Sequence, residues 1–344
     1  MFIKMIFISY FILICFIFFV VNYYSSKKSF LTNQTGESHQ SLATKSAVPL
    51  TGGLFILLAI FYEFHEFEKI IIGSVLLFSL GMLSDLKIIK SSSFRFLFQI
   101  LIIILYVYFA NLQIYNTRVQ IIDTFLENYY FNLFFVTFCI LIVVNGSNFI
   151  DGMNSLTSTY YIIVLGILYK LKYFDNLIFQ DNYFYMIQIC MIILIFLNFK
   201  SKVFLGDSGS YILGLLFSVS LINLYLDNPQ ISPFLIVLLL WYPCFENLFS
   251  ILRRFNFKKS PLIADKNHLH QLIFFYIKKK YNLSIFASNN ATSCTINLIN
   301  FIIFLLASIR PSHSQTIIMF IVFCVILYTI SYIKLLNLKI KKFI

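Results

Sequence analysis

The sequence predicts an all-α, polytopic helical membrane protein with about eleven transmembrane helices. Three observations carry that prediction. Residues are 60% hydrophobic and 12% charged, about half the charged fraction usual in soluble domains. Mean hydropathy is +0.85, and apolar runs recur along the chain at the length of about 20 residues that a helix needs to cross a bilayer. Lysine and arginine concentrate in alternate connections, as the positive-inside rule demands of a multi-span chain.

Taken in order, spans are expected at roughly 5–24, 50–62, 69–84, 95–111, 129–146, 156–170, 182–199, 208–226, 231–250, 296–310 and 315–333. The first has Lys4 before it and Lys27-Lys28 after it, without a small-residue cleavage site, and reads as an uncleaved span rather than a signal peptide. The next two are the shortest. Arg95 opens the fourth, and Asn145-Gly146 is a stop signal at the end of the fifth. Lys170, Lys200, Arg253 and Lys334 stand at or just past the ends of later runs. No segment is long and polar enough for a second, soluble domain, so residues 1–344 are expected to be one integral-membrane domain. Residues 25–49 and 251–295 would then be cytoplasmic loops. The six cysteines are scattered without a C-x-x-C pair. They read as small core residues, not as disulfides or a zinc site.

Of the 26 basic residues, 20 fall in one set of alternate connections and 6 in the other. That split predicts the N-terminus outside and the C-terminus in the cytoplasm. The net charge of +12 is then concentrated on the inner face, where anionic lipid attracts it. No nucleic-acid partner is expected.

The 14 acidic residues are more telling. Asp85, Asp151 and Asp207 interrupt apolar runs at the predicted cytoplasmic ends of spans, in Gly81-Met-Leu-Ser-Asp85, Asn145-Gly-Ser-Asn-Phe-Ile-Asp-Gly152 and Phe204-Leu-Gly-Asp-Ser-Gly-Ser210. A carboxylate at the edge of hydrocarbon is costly and marks a functional site by default. Three on one membrane face point to a divalent cation and a phosphate. Each motif has a plainer reading beside this one. Asp207 also suits a helix N-cap, and Gly-Asp-Ser-Gly is no serine-protease site without partner His and Asp in a supporting context. Asn145, Asn148 and Asp151 recur every third residue and could share a helical face, or could form a polar turn. Asp85 alone could be a boundary charge. The basic stretch from Arg253 to His270 reads as a phosphate pocket or as a helix lying on anionic lipid. The His268-x-His270 pair has no further metal ligands near it in sequence, and favours phosphate or substrate contact.

In order, the chain carries Val48-Pro-Leu-Thr-Gly-Gly53, Gly81 to Lys87, Asn145 to Leu156, Phe204 to Gly214, Pro243 to Arg254 and Asp265-Lys-Asn-His-Leu-His-Gln271. This series resembles the polyprenyl-phosphate N-acetylhexosamine-1-phosphate transferases of glycosyltransferase family 4. The resemblance implies a reaction: transfer of N-acetylhexosamine 1-phosphate, GlcNAc by default, from a UDP-sugar to undecaprenyl phosphate. UMP is released and a cell-surface glycan such as O-antigen or capsule is initiated. It implies Mg²⁺, with Mn²⁺ as the alternative, on Asp207 and Asp151. Asp85, Asp151, Asp207, His268 and His270 are its implied catalytic residues. Asn148, Phe204 (packed on uracil), Arg254 and Lys45 are its implied substrate contacts. The expected location is the bacterial inner (cytoplasmic) membrane with the site on the cytoplasmic face, and a homodimer is an open arrangement. Four positions depart from the family pattern: Ser84 replaces the first of paired aspartates, Leu50 an arginine, Gln271 a third histidine, and Glu246 stands where many members have Asp. These argue against the peptidoglycan-precursor branch. A weakened, non-catalytic scaffold in glycan assembly is the alternative that Ser84 raises. A transporter is the other, though it would place its polar residues nearer the midplane and in repeats.

Overall fold

The computed structural model describes residues 2–28, 30–32, 47–63, 68–171, 182–256 and 267–341. Fourteen α-helices account for nearly all of them: α1 (Phe2–Lys28), α2 (Gly52–Ile60), α3 (Glu68–Asp85), α4 (Ser92–Ala110), α5 (Gln120–Leu126), α6 (Tyr129–Ile150), α7 (Leu156–Lys170), α8 (Asn182–Phe199), α9 (Gly206–Asp227), α10 (Pro233–Leu239), α11 (Trp241–Asn256), α12 (Leu269–Tyr281), α13 (Ile285–Ala307) and α14 (Ser314–Lys341). Among the described residues there is no β-strand beyond one isolated bridge between Thr32 and Pro49. Six helices, α1, α4, α6, α9, α13 and α14, are long and apolar enough to cross a membrane. The bent pair α10–α11 makes a seventh if counted as one span. The chain is a multi-pass membrane protein.

Helix α9 is the axis of the fold. Its apolar window is 89% buried, against 11% for α1 and 22% for α14, whose large side chains stay exposed at the lipid-facing perimeter. Within lipid there is little hydrophobic drive between helices, so tight packing depends on small residues that let backbones approach. Gly81 of α3 meets α9 this way. A Cβ there would lie 2.3 Å from Ser208 Cα, which no real side chain tolerates. The contact draws the C-terminal end of α3 against the N-terminal end of α9.

Three elements differ from the sequence expectation. The run at 231–250 is two helices bent by 72°. Pro243 has no N–H to give the carbonyl of Leu239, and its ring crowds that carbonyl, so α10 ends there. The segment 251–295 is largely helical, with α12 and the first half of α13 inside it. Helix α13 starts at Ile285, well before the expected 296, and Ser284 Oγ accepts from the Ala287 N–H to cap it. Its early turns are polar but buried: Asn289 Oδ1 accepts from the Asn154 N–H at 2.6 Å, Asn290 Oδ1 accepts from Asn154 Nδ2, and Asn290 Nδ2 donates to Phe199 O. Hydropathy reads such turns as loop, whereas partners at the end of α8 and on the turn before α7 make them core.

At the end of the bundle away from the aspartates, Arg118 ties three connections together. Its guanidinium donates to the carbonyls of Pro229, Gln230, Ile231 and Ser312 and to Ser314 Oγ. Arg118→Ala is expected to cost about 1 kcal/mol or somewhat more, seen as a lower unfolding midpoint in detergent. Catalysis-related properties should not change.

Candidate active site at the α3–α9 junction

The backbone builds the site before any side chain is considered. Segment 49–53 runs beside 204–205: the Phe204 N–H donates to Pro49 O at 2.8 Å, and the Gly52 and Gly53 N–H groups donate to Phe204 O and Leu205 O at 3.0 Å. The first motif therefore holds the start of the fourth. Leu205, the residue before α9, makes no side-chain cap. Asp85 supplies one from α3. Its Oδ1 accepts from the Asp207 N–H at 3.0 Å, and its Oδ2 accepts from the Ser208 N–H at 3.2 Å and from Ser208 Oγ–H at 3.1 Å. The carboxylate meets unpaired donors at the positive end of a helix.

Asp207, in the first turn of α9, points its Oδ2 at two donors: Ser84 Oγ–H at 2.6 Å and Arg95 Nη1 at 2.9 Å. Arg95 also donates to Ser84 Oγ. The ion pair is half sheltered, each side chain 17% exposed. Ser84 is therefore part of the site, joining the pair where the family pattern has a carboxylate.

Asn148 Oδ1, on α6, accepts from Ser210 Oγ–H at 3.1 Å, joining the third motif to α9. Asn145 does not share that role, since its amide donates back to Leu141 O. Asp151 follows α6 directly. Burial pushes its carboxyl well above the usual carboxylate range, the Thr157 hydroxyl opposes this, and the nearby charges of Asp207 and Asp85 add to the rise. The three aspartates thus sense one another. Among the described residues no three His, Cys, Asp or Glu side chains already form a metal cage. Mg²⁺ does not require one, because it is commonly held by one or two carboxylates plus substrate phosphates. Both bonds to Asp207 end on Oδ2, which leaves the donor chemistry here, Asp207 with Asp151, of that kind.

A cleft of about 370 Å³, its open mouth included, lies beside these carboxylates. Leu50, Asp151, Gly152, Asn154, Asn198 and Phe204 line it. Its lining offers an aromatic face and a few amides. Asn154 is 1% exposed, and its Oδ1 has no hydrogen-bond partner in the protein. The histidines pack behind Gly152, outside the cleft lining itself. Gly152 admits His270, whose Nε2 lies 2.7 Å from the point a Cβ would occupy. His268 stacks on His270 at 5.5 Å between ring centroids and tilts against Phe149 at 5.4 Å. Arg254 packs its guanidinium 5.9 Å from the Phe149 ring. Its neighbour Arg253 instead donates to Asn267 O, to Tyr332 Oη at 2.7 Å and to Ser250 Oγ, fixing the start of α12 to α14.

The structure therefore gathers Asp85, Asp207, Asn148 and Asp151 with Phe204, and brings His268, His270 and Arg254 to the adjoining wall. Lys45 lies outside the described residues. Sequence reasoning missed Arg95, Asn154, Asn198 and the partner of His268. Arg95 had been counted only as a topology charge. Its place ten residues after Asp85, at a helix start on the same face, was the available signal.

A membrane-embedded bundle with acidic and basic groups gathered at one helix start is the setting of a phosphate-handling transferase. The comparisons agree: residues 68–225 match the sequence model described as Glycosyl transferase family 4. The chain is 25% identical over 305 residues to a probable undecaprenyl-phosphate N-acetylglucosaminyl 1-phosphate transferase of Bacillus subtilis (strain 168), covering 82% of this chain and 78% of the relative. It is 27% identical over 245 residues to the undecaprenyl-phosphate alpha-N-acetylglucosaminyl 1-phosphate transferase of Thermotoga maritima, covering 70% and 73%. A phospho-N-acetylmuramoyl-pentapeptide-transferase of Dictyoglomus thermophilum is 26% identical over 231 residues, covering 63% and 72%.

Proposed function

We propose that this protein transfers an N-acetylhexosamine 1-phosphate, GlcNAc being the default sugar, from a UDP-sugar to undecaprenyl phosphate with release of UMP. The observation that carries the reading is the α3–α9 junction, where Asp85, Asp207 and Arg95 meet at a helix N-terminus beside an aromatic-walled cleft. Transfer between two anions needs little covalent help from the protein. It needs positioning and charges that offset repulsion. In this reading the cleft takes the nucleotide, Phe204 packing on the uracil and Asn154 offering an amide to its edge. Arg254, His268 and His270 meet the diphosphate. Mg²⁺, held by Asp207 and Asp151 with substrate phosphates, supplies charge neutralisation when bound. Asp85 keeps α9 and Asp207 in register and faces the lipid phosphate.

The orientation follows from charge. The 20 to 6 partition of basic residues supports a cytoplasmic site in a bacterial inner membrane, with the N-terminus outside. Eleven crossings are obtained if α2, α3, α7, α8 and the α10–α11 pair join the six long helices. Helices α5 and α12 would then lie at the surfaces.

A binding experiment tests the nucleotide half of this reading. UDP-GlcNAc or UMP is expected to raise the unfolding midpoint of the purified protein, and Phe204→Ala to weaken that effect about tenfold in ligand concentration, the range for one lost stacking contact. A shift equal in Phe204→Ala would remove the base from this cleft.

A further inference from the structure

Glu246 lies in α11, the fifth helix after Asp151 in the chain, and is 0% exposed. Its Oε1 is 2.9 Å from His268 Nδ1 and accepts a longer bond, 3.4 Å, from the Leu269 N–H. Its Oε2 accepts from Tyr328 Oη–H of α14 at 2.8 Å. His268 is held at its other attachments too: its N–H donates to Gln271 Oε1 at 3.3 Å, and its ring is stacked on His270 and tilted on Phe149. A buried carboxylate–imidazole pair is a poor way to stabilise a fold, since desolvation offsets most of the attraction. Its use lies in what it does to the histidine. An ionised carboxylate can only accept. Nδ1 must then carry a hydrogen, and Nε2 is left as the nitrogen that can meet a substrate.

We propose that Glu246, backed by Tyr328, is a positioning residue that fixes His268 as the Nδ1–H tautomer and sets its ring so that Nε2, as an acceptor, meets a hydroxyl or N–H of the nucleotide sugar. This deepens the transfer reading and rests on it. In that reaction a lipid phosphate oxygen bonds to the sugar-bearing phosphorus. The bridging P–O bond breaks, and its electron pair leaves on UMP. No net proton is consumed, so His268 need not move one and acts by holding the donor substrate in place. The charged and titratable groups around His268 are Glu246, Arg253 and Arg254 from α11, His270 from α12, Tyr328 and Lys339 from α14, and Asp151 two residues beyond Phe149. Among the described residues, Glu246 is the one carboxylate bonded to the ring.

Two readouts on the purified protein in nanodiscs test this. The first is nitrogen NMR of labelled histidine, with His268 assigned by its loss in His268→Asn. The wild type is expected to show Nδ1–H on His268, and Glu246→Gln to show a mixture of the two tautomers. The second is the steady-state kinetics of sugar-phosphate transfer. Glu246→Gln is expected to lower kcat about 10- to 100-fold, the range for a group that orients another, with KM for the UDP-sugar little changed. Glu246→Asp should recover most of kcat. An Nε2–H tautomer in the wild type, or an unchanged tautomer in a folded Glu246→Gln, overturns the proposal. Wild-type protein that transfers nothing yet shows the Nδ1–H tautomer, altered in Glu246→Gln, would count against the transfer reading and leave the Glu246–His268 coupling standing.

Discussion

Asp207→Asn is expected to lower transfer by about 10³-fold or more, the scale of losing a principal charge-stabilising group at a reacting centre. The helical fold should survive. Asn keeps an oxygen for Ser84 Oγ–H, and the Arg95–Asp207 pair is partly exposed, so its loss costs little stability, about 1 kcal/mol. What disappears is the negative charge that balances Arg95 and would hold a divalent cation. Circular dichroism and the unfolding midpoint check the first half of this expectation, and kcat checks the second. An inactive variant that also unfolds early would mean that Asp207 is an architectural residue.

Asp85→Asn should show the opposite balance, with a large effect on both fold and activity. The carboxylate is 4% exposed and accepts three hydrogen bonds at the start of α9. An amide has one acceptor oxygen, and its NH₂ would confront an N–H donor. A lost charged hydrogen bond with a donor left unpaired costs about 2–3 kcal/mol, so the unfolding midpoint should drop by several degrees. Transfer should fall by about 10²-fold or more, because Asp207 sits in the turn that Asp85 caps. A midpoint equal to wild type would show that the α9 N-terminus does not depend on Asp85.

These two residues were legible in the sequence because a carboxylate at the end of an apolar run has few explanations. The helices around them were legible for the same reason: the run expected at 129–146 is α6, and that expected at 208–226 is α9. Patterns that depend on a partner far along the chain were not. The early turns of α13 read as loop because their asparagines are polar, and only the groups they bond, such as the Asn154 backbone and the Phe199 carbonyl, make them buried helix. The bend before α11 was foreshadowed by Pro243, but a 20-residue apolar window averages over one proline. Arg95 belonged to the topology tally until Asp207 was seen beside it. Asn145, grouped with Asn148 and Asp151 by spacing, turns to its own helix instead. Spacing says which residues can share a face, not which bond each amide finds cheapest.

The most direct test of the central claim is transfer of label from UDP-GlcNAc into lipid by purified protein with undecaprenyl phosphate and Mg²⁺. Labelled lipid that disappears with EDTA and in Asp207→Asn is the predicted result, and a panel of other UDP-N-acetylhexosamines would correct the sugar if GlcNAc is the wrong one. Folded protein that transfers none of them, with Ser84 in the place of a carboxylate, would contradict the account and leave a non-catalytic role in glycan assembly.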